Sequence, residues 1–491
     1  MSHASGNRNN TQECFLYGKQ NYPLSRYIVL NPAKSQIDLV PTTETTQEEF
    51  LRRILARDQM KEFCQDPLVM DRADGVRYWD VHGKEYLDAL SGIYVVSVGH
   101  NNPRVKEAIK VQLDRLSFSP SMHGTNPVAI QLANLLAELA PADLNTVKFA
   151  TSGSEVTEAA IKMARQYHQL TGNPRKYKII SRYLSWHGST MGSLSAGGLK
   201  ARRSVNEPLA PGFIKVFPPT CYRCPFGKEY GSCDITCASL IGDTIELEGP
   251  ETVAAVMVEP IGNTGGVIDP PEEYLPMLRE ICDRHNALLI FDEVITGFGR
   301  TGQMFAAETF GVLPDMICCA KGISSGYAPL SALICRDHLA QAFWGDTPEN
   351  PGFVEGHTFE GNPIASAAGI ATIQEIIDRD LLANSRKMGQ RLRAGLEGLR
   401  KHGIIGDIRG KGLFLGMELV KDPQSKEPFP EEISLGSQIG QVALQHGLLI
   451  RFDPHWIALA PALVVTENDI DEIVRILDAT IKEVMSCHSL S

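Results

Sequence analysis

The order of sequence patterns between about residues 104 and 330 predicts an α/β fold, a mostly parallel sheet covered by helices on both faces, with a smaller α/β domain beside it. Three observations carry that expectation. Helical periodicity alternates with short apolar, strand-like runs over this span. A carboxylate pair, Asp292-Glu293, stands at the end of one such run, and in open α/β sheets the carboxyl ends of strands face the ligand crevice. Beyond residue 412 a second group of strand-like segments, GLFLGMELV and GLLIRFDPHWIALAPALVV, follows two long helical patterns and closes the chain as a separate lobe.

In chain order, residues 1–50 are polar and irregular, and YWDVHGKEYLDALSGI (78–93) reads as short alternating strands around a turn at His82-Gly83. A helical period runs over 128–139, strands over KYKIIS (176–181) and VAAVMVEP (253–260), a helix over 272–286 and a strand over 287–291. GNPIASAAGIATIQEII (361–377) is a helix rich in small residues, and another long helix ends near residue 402. The expected division is a polar N-terminal segment 1–50, a small domain made of 51–95 with 365–491, and a large domain 96–364. Both chain ends then share one lobe, and the ligand crevice lies between lobes.

At 491 residues, 43% hydrophobic and 21% charged, the chain can bury the core of two or three domains, which excludes disorder or a fibre over most of its length. Its net charge of −11, from 47 basic and 58 acidic residues without a long basic run, argues against nucleic acid and anionic membranes and for small-molecule partners. The stretch MSHASGNRNN lacks the apolar core of a signal peptide, and no span reaches the about 18 uncharged residues of a membrane helix, so a cytoplasmic location is expected. Eleven cysteines, an odd count in a chain too large to need disulfide staples, fit free thiols in a reducing compartment.

In FDEVITGFGRTG (291–302), Gly297, Gly299 and Gly302 have the G-x-G-x-x-G spacing of a dinucleotide loop. That fingerprint needs an uncharged strand leading into its first glycine, whereas Asp292 and Glu293 interrupt the strand end and repel a pyrophosphate. The glycines are incidental on this reading, and Asp292 becomes the residue of interest.

Lys321 follows the apolar run Met316 to Ala320 and opens onto small residues and glycines. Desolvation there lowers an amine's pKa and prepares it to attack a carbonyl; the plainer alternative is a lysine snorkelling at a strand end. Paired with Asp292, it fits pyridoxal phosphate, whose aldehyde needs a lysine and whose pyridinium nitrogen needs a carboxylate to stay protonated. FATSGSEVTEAAIKMAR (149–165) offers the phosphate site: Ser152 and Glu155 have capping-box spacing around Gly153 and Ser154, so a helix opens with its positive end outward. A capped surface helix is the alternative. Trp186 in SRYLSWHGST (181–190) could stack on a cofactor ring or simply pack in the core. Cys221, Cys224, Cys233 and Cys237, at C-x2-C and C-x3-C spacing, could hold structural zinc, but free thiols are the plainer view and no metal is assigned.

Together and in this order, SGSE, WHG, VEPIG, FDEVITGFGRTG, PDMICCAKGISSGYAPL, HTFEGNP and RGKGLFLGMEL resemble the class III aminotransferases, the ω-amino acid and amine transaminases among pyridoxal phosphate enzymes, from about residue 55 to 485. The resemblance implies the aspartate aminotransferase-like fold type I. It implies that Lys321 forms the Schiff base with the cofactor and later shuttles a proton, and that Asp292 pairs with the ring nitrogen. Val294 and Trp186 would pack the two ring faces, Trp186 standing where relatives more often carry tyrosine or phenylalanine. Gly153 and Ser154 would bind the phosphate, Thr358 of the partner subunit would reach the same phosphate, and Glu259 would support the ring-side hydrogen-bond network. Active sites at a subunit interface imply a homodimer or a tetramer.

Arg451 matches the arginine that clamps the carboxylate of a keto acid in amine:pyruvate members, although Pro461-Ala462 replaces the usual proline pair. Tyr94 and Trp456 would line the substrate pocket or pack in the core. The expected reaction moves an amino group from an ω-amino acid or primary amine to a keto acid such as pyruvate. The alternative is a pyridoxal phosphate lyase eliminating ammonia or phosphate from an aminoalkyl phosphate or phosphonate, with ARRS (201–204) supplying cations. A non-catalytic binding protein of the same fold is disfavoured by the intact Lys321 and Asp292.

Overall fold

VAAVMV at residues 253–258 is buried at every position, which a strand achieves only when both faces of its sheet are covered. The computed structural model describes residues 28–29, 38–39, 55, 60–64, 67–345 and 349–487, so the expectation for residues 1–50 lies almost wholly outside the described residues.

Seven strands make the central sheet: β1 (Leu144–Ala150), β2 (Lys178–Arg182), β3 (Phe213–Val216), β4 (Val253–Val258), β5 (Leu288–Asp292), β6 (Met316–Cys319) and β7 (Ser331–Arg336). Their order is β1-β7-β6-β5-β4-β2-β3. Every neighbouring pair is parallel except those of β7, which runs antiparallel to β6 and to β1. The expected mostly parallel sheet is therefore present, with one reversed strand. Helix α1 (Gly153–Leu170) covers one face, where Val156, Ala160 and Ala164 join Leu288, Ile290, Met316 and Leu333 in one core cluster. Helix α2 (Tyr274–Arg284) buries Leu275, Leu278 and Ile281 and packs on β5.

Register sets the site. Phe291 of β5 pairs with Val258 of β4, and Asp292 pairs with Cys318 of β6. Glu259, Asp292 and Lys321 thus leave the carboxyl ends of three adjacent strands, where open α/β sheets bind ligands.

A second sheet is antiparallel: β8 (Ile405–Lys411), β9 (Phe414–Leu419), β10 (Arg451–Asp453) and β11 (Trp456–Leu459), in the order β8-β9-β11-β10. The strand-like run 447–465 is divided in the structure, because Pro454-His455 turns the chain between β10 and β11. Helices α3 (Pro363–Asp378) and α4 (Leu381–Gly398) precede this sheet, α3 entering through Asn362, whose side chain accepts from the N–H groups of Ile364 and Ala365.

The chain divides into two compact units, one of Met1–Arg72, Trp79–Lys84 and Glu483–Ser491, the other of Ala73–Tyr78 and Glu85–Lys482. In the first, Ile28–Val29 pairs antiparallel with Asp38–Leu39, and the Arg72 guanidinium lies 3.9 Å from the Trp79 ring centroid. Both sheets' labelled strands belong to the second unit. Among the described residues no helix is long and apolar enough to cross a membrane.

Candidate active site

Gly153, Ser154, Trp186, Glu259, Asp292, Val294 and Lys321 all line one cavity of about 420 Å³, a size suited to a small organic ligand. Lys321 leaves β6 into a single 3-10 turn with φ +48°, a left-handed conformation that a lysine adopts only where surrounding packing fixes it. Burial pushes its amine down to about 8, assisted by Arg300 and opposed by the Asp292 and Glu259 carboxylates. Its Nζ stands 5.9 Å from the Tyr94 ring centroid.

Asp292 is held at both oxygens. His187 Nδ1 lies 2.7 Å from Oδ2, and the Val294 N–H donates to Oδ1 at 3.2 Å. The histidine in WHG thus belongs to the site, a role its sequence context did not reveal. Glu259 accepts from the Trp186 N–H through Oε1 and from the Asn263 N–H through Oε2, both at 3.0 Å. Burial raises the pKa of Glu259, with His187 opposing the shift. Glu259 therefore fixes the backbone that carries Trp186.

At the other end, Ser152 caps α1 by accepting from the Glu155 N–H. The Glu155 carboxylate reaches one residue further back than a capping box requires: Oε2 accepts from the Thr151 N–H at 2.7 Å and from Thr151 Oγ1 at 2.6 Å. Gly153 and Ser154 open the helix on the cavity, and first-turn N–H groups have no partner within their own helix. Ser154 Oγ accepts from the Ser189 N–H at 2.9 Å. A side chain on Gly153 would come within 3.2 Å of Val294 Cγ1, so bare backbone is what brings the helix start up to Val294.

The remaining site candidates fall elsewhere. Thr358 lies in an exposed turn outside this cavity. Arg451 on β10 stands with its Cζ 5.8 Å from the Trp456 ring centroid, and Trp456 shares an apolar cluster with Tyr94 and Ile261, the last a cavity residue. None of Ala201 to Ser204 lines the cavity.

The glycines of GFGRTG serve packing: a Cβ on Gly299 would stand 2.6 Å from Leu463 Cδ1, and one on Gly302 2.5 Å from Arg386 Cγ. Between them Arg300 is buried and donates to Leu413 O at 3.2 Å, Pro461 O at 2.5 Å and Ser91 Oγ at 2.9 Å, with burial lowering its pKa to about 10. This loop docks against the closing segments of the chain.

Cys221, Cys224, Cys233 and Cys237 are free thiols around a small cavity, and no three His, Cys, Asp or Glu among the described residues are arranged to hold a metal ion.

The amine, the anchored carboxylate and the exposed helix start are what pyridoxal phosphate requires of a protein. Comparison with known proteins agrees. Residues 60–481 match the family model for class III aminotransferases. A probable aminotransferase of Mycobacterium tuberculosis is 43% identical over 85% of this chain and 90% of its own length. A taurine–pyruvate aminotransferase of Bilophila wadsworthia is 39% identical over 86% and 93%. The crystal structure of an omega transaminase from Pseudomonas jessenii in complex with PMP superposes with TM-score 0.87 at 32% identity, covering 90% of this chain and 99% of that one.

Proposed function

Because this chain belongs to the class III aminotransferases, which depend on pyridoxal phosphate, we propose that it moves the amino group of an ω-amino acid or primary amine to a keto acid such as pyruvate. The observation that carries the reading is the meeting of Lys321, Asp292 and the α1 start on one cavity, with the lysine amine lowered to about 8. Pyruvate as acceptor draws support from the taurine–pyruvate relative.

When bound, the cofactor supplies a carbonyl carbon that exchanges amino groups and a pyridinium that draws electrons from the reacting carbon. Asp292, anchored by His187 and Val294, would keep the proton on the pyridinium nitrogen. Gly153 and Ser154 would receive the phosphate with backbone N–H groups, and Thr358 of the partner subunit would complete that grip. Val294 and Trp186 confine the ring. Lys321 Nζ would accept and hold the proton taken from the substrate carbon. Arg451 binds the keto acid's carboxylate bidentately, with Tyr94 and Trp456 flanking the substrate.

The active form on this reading is a cytoplasmic homodimer or tetramer. Phe118 and Phe359 are exposed, stack edge to face at 5.9 Å beside Thr358, and give this surface an apolar patch of the kind buried in association. Residues 96–364 form the cofactor-binding domain, since every residue lining the cavity except Val95 falls within that range.

The test is an absorption spectrum of the holoenzyme during addition of amines without keto acid, with ammonia assayed alongside. The expected result is loss of the visible cofactor band, its return only on adding pyruvate, and little ammonia. Catalytic release of ammonia without a keto acid would show elimination instead.

A further inference from the structure

Thr157 sits one turn into α1, fully buried, and its hydroxyl is crowded by four oxygens. Oγ1 lies 3.1 Å from Gly153 O, 3.0 Å from Ser154 O, 2.7 Å from His187 O and 2.6 Å from Ser193 Oγ. A threonine hydroxyl carries one proton, and inside a helix that proton ordinarily returns to a carbonyl three or four residues back. Here the shortest carbonyl contact is His187 O, 30 positions away in sequence. Ser193 Oγ, also 2.8 Å from Ser154 O, brings a second proton to the group and closes it.

The loop that follows His187 is fastened to the same helix. Ser154 Oγ accepts from the Ser189 N–H at 2.9 Å, and the Glu158 carboxylate accepts from the Gly192 N–H at 2.7 Å and the Ser193 N–H at 3.3 Å. Residues 187–193 thus rest on the first two turns of α1, whose Gly153 and Ser154 open on the cofactor cavity. His187 is held at both ends, its ring by Asp292 Oδ2 at 2.7 Å and its carbonyl by Thr157. Pyridoxal phosphate is a rigid ring with its phosphate on a short arm. A protein that grips the phosphate in one place must therefore present its carboxylate in one matching place.

We infer that Thr157 is a positioning residue for the transfer reaction, its hydroxyl setting His187, and through it Asp292, in register with the phosphate-binding turn of α1. The inference rests on the aminotransferase reading. Thr157 does not line the cavity, so it acts only through the residues it holds.

The experiment compares the holoenzyme with Thr157→Val, which keeps the shape and deletes the hydroxyl, and with Thr157→Ser, which keeps the hydroxyl. Thr157→Val is expected to lower kcat about tenfold and to shift the absorption maximum of the bound cofactor. Affinity of the apoprotein for inorganic phosphate, measured by competition with pyridoxal phosphate, should stay within about threefold, because the phosphate-binding N–H groups remain. Thr157→Ser should restore both kcat and spectrum to within about twofold of the parent. Combined with His187→Ala, Thr157→Val should add less than about twofold to the loss in kcat, since both substitutions break one path. If Thr157→Val does not fold, Ser193→Ala, which removes the neighbouring hydroxyl, is expected to move kcat and spectrum in the same direction by a smaller factor.

A lowered Tm with unchanged kcat and spectrum would make Thr157 a packing residue and overturn the inference. So would a serine variant as impaired as the valine one, or losses that multiply in the double variant. These outcomes leave the aminotransferase reading intact. If the parent enzyme binds cofactor but no amine changes its spectrum, the transfer reading falls, and the shift of the cofactor band in Thr157→Val still decides whether Thr157 sets Asp292.

Discussion

His187 Nδ1 and Asp292 Oδ2 lie 2.7 Å apart, with both side chains buried. The Val294 N–H holds the other carboxylate oxygen, and His187 Nε2 has no hydrogen-bond partner among the described residues, so the imidazole donates through Nδ1 to Asp292, the one hydrogen-bond partner of its ring. The carboxylate cannot rotate away from the cavity without breaking two hydrogen bonds.

His187 is accordingly a positioning residue. His187→Ala is expected to lower kcat about 10–100-fold and to shift the absorption maximum of the bound cofactor, because Asp292 loses alignment rather than charge. His187→Asn, which retains a donor, recovers part of both. Asp292→Ala is expected to cost about a thousandfold or more, roughly 4 kcal/mol of barrier. A normal spectrum and rate in His187→Ala would show that the Val294 N–H suffices.

Burial lowers the Lys321 amine to about 8, so on the proposed reading it acts as a neutral nucleophile above that pH and is an unreactive ammonium below it. After removal of the cofactor, the rate at which the apoprotein recaptures pyridoxal phosphate should rise with pH through about 8 and level off above it. Stopped-flow absorbance between about pH 6 and 10 measures this. A midpoint near the ordinary lysine value of about 10.4 would mean that water reaches the amine. Lys321→Ala should abolish covalent capture while leaving non-covalent binding of the phosphate.

Arg451→Ala should raise the KM for pyruvate about 10–100-fold, since a bidentate guanidinium–carboxylate contact is lost. Amine-dependent bleaching of the cofactor band without keto acid should persist. Equal loss in both half-reactions would place Arg451 in the support of Trp456, whose ring centroid is 5.8 Å from its Cζ, rather than in keto acid binding.

Gly188 has φ +144°, and a Cβ there would approach Ser154 Oγ and Ser193 Cβ within 2.7 Å. Gly188→Ala should therefore displace the start of α1, lowering stability by about 2–3 kcal/mol and loosening the cofactor. Thermal unfolding with and without pyridoxal phosphate separates the two effects: the stabilisation gained on adding cofactor should shrink along with the Tm.

Much of the site was legible because its residues carry local signals. Lys321 and Asp292 each follow an uninterrupted apolar strand, Gly153-Ser154 sits inside a capping pattern, and the helix–strand alternation gave the sheet. His187 carried no such signal, since a histidine's hydrogen-bond partner 105 positions away is a matter of register and not of neighbouring residues. The same holds for Arg300, embedded in a glycine pattern yet bound to Leu413, Pro461 and Ser91, and for the Glu155 carboxylate, which chose Thr151 over the cap residue.

Residue type and local periodicity by themselves pointed to the α/β fold class, to Lys321 and Asp292 as candidate amine and carboxylate, and to the cofactor that pair would suit, because strand burial and helix capping are short-range properties of the chain. Only tertiary structure decided that Glu259, Asp292 and Lys321 emerge side by side, which follows from the pairing of Phe291 with Val258 and of Asp292 with Cys318. It alone buried Lys321 beside Asp292, Glu259 and Arg300 and lowered its amine to about 8, because desolvation and charge compensation depend on everything that surrounds a side chain, most of it distant in sequence.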